Sequence, residues 1–92
     1  MVIGYSKEQC WDLMEDLNDQ AHEETFQMWI DAGEDEELRE SAGESQQSVF
    51  LDLIEEEVSD EQWQAFQHYY KTDEDFKIQY EGYAGRPMWE VQ

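Results

Sequence analysis

Between Glu8 and Glu61 the chain carries twenty carboxylates and one cationic side chain, Arg39. A segment of that charge stays unfolded unless its apolar residues are spaced to gather on one face. They are so spaced. Cys10, Leu13, Met14, Leu17 and Ala21 recur at helical intervals, and the pattern resumes as Thr25, Met28, Trp29 and Ala32 before Gly33. Ser6-Lys7-Glu8-Gln9 has the form of a capping box and starts the first helix; Asn18-Asp19 is a candidate break within it. Asp35 to Ala42 predicts one or two further turns ended by Gly43. Ser45 to Val58 predicts a helix with Val49, Phe50, Leu53, Ile54 and Val58 on one face. A second capping box, Ser59-Asp60-Glu61-Gln62, opens a helix carrying Trp63, Phe66 and Tyr70.

The last third differs in kind. Eight of the thirteen aromatic residues lie there, and from Gln62 onward five acids face three bases. Phe76, Ile78 and Tyr80 alternate like a strand, whereas Phe76, Tyr80 and Tyr83 make a helical stripe. Gly82, Gly85 and Pro87 signal a turn, with Met88 to Val91 as a short strand after it. The expected fold is mainly α, one small helical domain spanning residues 1–92. It becomes α+β if the C-terminal segment, residues 76–91, closes a short hairpin.

Ninety-two residues with a net charge of −20 also limit function. Nucleic-acid contact needs clustered Lys and Arg, and docking on an anionic membrane needs the same, so neither direct nucleic acid nor membrane is an expected partner. No apolar run or signal peptide is evident, and the single cysteine forms no internal disulfide, so a cytoplasmic protein is expected. No enzyme chemistry stands out, and no catalytic residue, cofactor or metal is assigned. His22-Glu23-Glu24-Thr25-Phe26 begins like a zinc-protease helix but has Phe where the second His belongs. His22 and His68 read as surface or boundary residues, and Cys10 as core. Asp35-Glu36-Glu37 lacks the ordered alternation and central glycine of a calcium loop.

The acids themselves are patterned. Glu8, Asp12, Glu15, Asp19 and Glu23 form one stripe opposite the apolar face of the first helix. Asp52, Glu55, Glu56 and Asp60 form a second, and Glu34, Asp35, Glu36, Glu37, Glu40 and Glu44 make a dense acidic loop region between them. Solubility needs a net charge of only about 2–8 for a small domain. Carboxylates about 6 Å apart repel by roughly 0.7 kcal/mol in water before screening, against a total stability of ~5–15 kcal/mol. Charge that opposes folding on this scale points to a strongly basic partner. Duplex DNA carries one charge per ~1.7 Å, so twenty charges match about 34 Å, roughly one turn. A single stripe supplies only one per roughly 5–6 Å, so two stripes and the loop are needed together, and a homodimer would extend the match to two turns. Tyr83 and Trp89 are candidates for such a dimer face, with internal packing the equal alternative.

Acidic runs such as Glu34-Asp35-Glu36-Glu37 and Glu55-Glu56-Glu57, beside scattered Trp and Tyr in one small domain, resemble the DNA-mimic anti-restriction proteins of phages and mobile elements. In length and charge the chain is most similar to the small anti-restriction proteins of T-even phages. Phe66 to Gly82 also resembles the acidic, aromatic segments of ArdA-type proteins. The likeness covers the whole chain and is compositional, so it assigns no residue a role. It implies a host restriction endonuclease as partner, modification-dependent and of the McrBC kind, with other duplex binders such as nucleoid proteins as further targets. The fifteen carboxylates named above would stand in for phosphates. Two other readings stand beside it: an acidic module that binds a basic host protein without imitating DNA, such as an adaptor or transcription-machinery inhibitor, and a halophile protein whose acids hold water and salt.

Overall fold

The computed structural model describes residues 4–88. The described residues form five helices in the order α1 (Lys7–Glu24), α2 (Phe26–Ala32), α3 (Glu36–Glu57), α4 (Asp60–Thr72) and α5 (Glu74–Ala84). Both capping boxes form as the sequence predicts. The Ser6 hydroxyl accepts from the Gln9 N–H at 3.1 Å while the Gln9 side chain accepts from the Ser6 N–H at 2.9 Å, and Ser59 and Gln62 repeat the arrangement at α4.

The boundaries differ from expectation at three places. The first helix runs through Asn18-Asp19 and ends at Thr25. There the Thr25 N–H and hydroxyl both donate back to the Ala21 carbonyl, at 3.2 and 2.9 Å, closing the turn and letting the chain restart as α2. The expected acidic loop is also helix: Glu36, Glu37, Glu40 and Glu44 lie on α3, which runs unbroken through Gly43. Gly43 faces the Trp29 ring, and a Cβ there would lie 3.8 Å from it, so this glycine is tolerated inside a helix rather than ending one. Finally, Phe76, Ile78 and Tyr80 belong to α5, whose first turn is fixed by the Asp73 carboxylate accepting from the Phe76 N–H at 3.0 Å. Gly82 is helical, and the turn falls at Gly85, where φ is +75° and a Cβ would collide with the Gln47 side chain. Among the described residues there is no strand; residues 89–91 of the expected hairpin lie outside them.

α1 and α3 pack along each other, and the α4–α5 hairpin packs against both. Cys10, Met14, Leu17 and Ala21 of α1 meet Phe50 and Ile54 of α3 and the rings of Phe66, Tyr70, Phe76 and Tyr80 in one buried cluster. Edge-on ring pairs dominate it: Phe66–Phe76 at 5.7 Å, Tyr70–Tyr80 at 5.7 Å and Phe50–Tyr80 at 6.0 Å. So the aromatic third supplies the bulk of the core, and the acidic two-thirds supplies smaller apolar side chains and the outer surface. No helix among the described residues is long and apolar enough to cross a membrane.

Candidate partner-binding surface

All twenty carboxylates between Glu8 and Glu61 are exposed, including the fifteen singled out from sequence. On α1 the buried positions Cys10, Met14, Leu17 and Ala21 fix the inward direction; Glu8, Asp12, Glu15, Asp19 and Glu23 stand on the opposite side. On α3, Glu37, Glu44, Asp52 and Glu55 point away from Phe50 and Ile54. The uncharged run Ser45 to Leu51 separates an N-terminal block, Glu36 to Glu44, from a C-terminal block, Asp52 to Glu57. Glu34 lies in the turn before α3, and Asp60 opens α4.

The fold makes little use of these groups. Glu15 accepts from the Trp11 indole N–H at 2.7 Å, Asp31 from the Gln27 amide at 2.9 Å, and Asp35 from the Leu38 N–H at 3.1 Å as the cap of α3. The other seventeen accept no hydrogen bond and meet no cation among the described residues. Two acids of the last third, Asp73 and Glu81, behave otherwise. Asp73 caps α5 and pairs with Lys7 at 2.7 Å; this bond holds its carboxyl below the usual value and raises the Lys7 ammonium. Glu81 accepts from the Tyr70 hydroxyl at 3.0 Å. A few carboxylates, Asp35 and Asp73 among them, build the structure, and most of those between Glu8 and Glu61 only add to the field.

One side-chain node sets how the acidic helices lie together. The Gln46 carbonyl oxygen accepts from the Trp29 indole at 2.9 Å and from His22 Nδ1 at 3.1 Å, and its amide donates to Asn18 at 3.2 Å. This fastens α1, α2 and α3 to one another. His22 is thus a tie between helices. The molecule measures 47 × 23 × 21 Å, and its radius of gyration of 14.0 Å exceeds the roughly 12 Å of a compact globule of this length. Among the described residues 24 acids face five bases, a net charge of −19, or about one charge per 2.5 Å of the long axis.

Two features were not read from sequence. Asp52, Glu55 and Asp60 rim an open groove of about 590 Å³ with a floor of Leu51, Ile54, Val58 and Trp63, and Arg86 reaches its edge. Also, Phe26, Met28, Ile30 and Leu38 are exposed, although Met28 falls within the expected apolar pattern. Tyr83, a candidate dimer contact, packs half-buried against Phe50 at 5.6 Å; Trp89 lies outside the described residues. Among the described residues no group of three or more His, Cys, Asp or Glu is placed to hold a metal ion. No family model matches the chain, and neither the curated proteins nor the solved structures include a match.

Proposed function

We propose that this chain is a DNA mimic that inhibits a host DNA-binding defence protein. The target we assign is a modification-dependent restriction endonuclease of the McrBC type, met in the host cytoplasm. One quantity carries the reading: a net charge per about 2.5 Å along a 47 Å body, against one per ~1.7 Å of duplex DNA. The seventeen carboxylates without a hydrogen-bond or cationic partner among the described residues strengthen it, because they can meet Lys and Arg of a phosphate-binding cleft.

The mechanism is competitive and needs no covalent step. Carboxylates occupy phosphate subsites, ions held at both surfaces are released, and the target cannot hold DNA at the same time. Because the field is shared, neutralising one carboxylate acts weakly and neutralising several acts strongly. The exposed apolar side chains of α2 favour a second reading, an acidic module that binds a basic protein without excluding DNA. Titrating the protein into preformed endonuclease–duplex complexes separates the two. DNA release in proportion to added protein is the expected result. DNA retained at saturation, with the protein also bound, refutes mimicry and establishes the module.

A further inference from the structure

Five large apolar side chains are exposed among the described residues, each between 41% and 62% accessible, and four of them sit on the α2–α3 hairpin: Phe26, Met28, Ile30 and Leu38. The hairpin has its own inward face, where Trp29 and Ala32 pack against α3. Phe26 and Ile30, four residues apart, form a second ridge beside that face, and the Phe26 ring lies 6.0 Å from the His22 ring. The fold gains nothing from leaving such residues in water, and four of the five fall within residues 26–38.

Their surroundings identify what covers them. Residues 23–40 hold Glu23, Glu24, Asp31, Glu34, Asp35, Glu36, Glu37 and Glu40 against Arg39 alone. A second copy seated here would bring eight more acids against these eight. A basic protein would bring the complementary charge. We propose that the Phe26–Ile30 ridge, with Leu38, seats against an apolar spot framed by Lys and Arg on a basic protein partner. This rests on the reading of the acidic surface as a partner-binding face and adds a division of labour. The carboxylate field draws in any cationic surface, and the apolar ridge selects among them, since a phosphate backbone offers nothing to match it.

The test uses two synthetic peptides of equal length and positive charge, one alternating Lys with Leu and one alternating Lys with Ser. Wild type is expected to bind the Lys/Leu peptide about ten- to a hundred-fold more tightly. The double variant Phe26→Ser/Ile30→Ser, and separately Leu38→Ser, are expected to erase most of that preference and leave the salt-sensitive Lys/Ser affinity unchanged. Ile78→Ser removes the fifth exposed apolar side chain, on α5, and should change nothing. Circular dichroism checks that each variant is folded. Equal affinity of wild type for both peptides overturns the proposal, as does a preference that survives in the α2 variants. So does a concentration-dependent dimer, seen by sedimentation and abolished by Phe26→Ser/Ile30→Ser, which would make the ridge a self-contact. None of these outcomes bears on DNA release from the endonuclease, so failure here and failure of mimicry are read separately.

Discussion

If the α1 stripe exists for a partner and not for the fold, removing its charge should make the isolated protein more stable. The double variant Asp12→Asn/Asp19→Asn tests this with little else altered, because Asn and Asp have similar helix propensity and both positions are exposed. Asp12 has acids three or four residues away at Glu8, Glu15 and Asp16, and Asp19 has them at Glu15, Asp16 and Glu23. Two substitutions thus remove six like-charge neighbours. At about 0.2–0.5 kcal/mol each, the gain is ~1–3 kcal/mol at low ionic strength. For a domain of this size that raises Tm by roughly 5–20 °C. At 1 M salt the screening length falls to about 3 Å, below the spacing of these groups, and most of the gain should vanish. Thermal unfolding followed by circular dichroism at low and high NaCl measures both numbers. No gain at low salt, or an equal gain at 1 M, refutes the idea that these carboxylates oppose folding. Asp73→Ala is the counter-case. It removes the α5 cap and the Lys7 pair, and should destabilise under the same conditions.

Further predictions concern the core and the helices. Gly43→Ala should stabilise by about 1 kcal/mol in urea unfolding, since the added methyl meets Trp29 at ordinary contact distance; a loss would show that α3 and α2 lie closer than described. The Tyr80 hydroxyl is buried with no hydrogen-bond partner among the described residues, so Tyr80→Phe should be neutral or stabilising by up to about 1–3 kcal/mol, and clear destabilisation would contradict an unpartnered hydroxyl. Burial pushes the Cys10 thiol up to about 11 and the Tyr80 phenol up to about 12. Both are neutral acids in the fold that ionise more readily once unfolded. Their contribution is therefore complete below the ordinary values of 9.0 and 10.0 and is lost as pH rises through about 11 to 12. The urea midpoint should fall steadily between pH 9 and pH 11, and a flat midpoint would contradict the burial of Cys10.

Most of the architecture was legible where the signal is local. The capping boxes at Ser6 and Ser59, the stop at Gly33 and the spacing from Cys10 to Ala21 each depend on residues within one or two turns, and each forms. So did the acidic stripe on α1, because a buried face fixes its opposite. What was not legible depends on contacts across the chain. Gly43 reads as a stop until Trp29 is known to lie against it. Phe76 to Tyr83 fits two periodicities, and what favours helix is the Asp73 cap together with the Phe66 and Phe50 rings that Phe76 and Tyr80 meet. Tyr83 is drawn inward by Phe50, thirty-three residues away. The Phe26–Ile30 ridge did have a sequence signal, a pair four residues apart. The neighbouring stripe through Thr25, Trp29 and Ala32 masked it, since a seven-residue helix can bury only one of the two.

The claim beneath this account is that the surface field is matched to a site built for phosphates. Its most direct measurement is the affinity for the endonuclease between 50 and 200 mM salt, set beside that of duplex DNA for the same protein. The account predicts parallel slopes of log affinity against log salt, steep enough to lose about 10³-fold or more over that range, as for a protein making several phosphate contacts. An affinity that barely moves with salt, while the duplex slope stays steep, would contradict it.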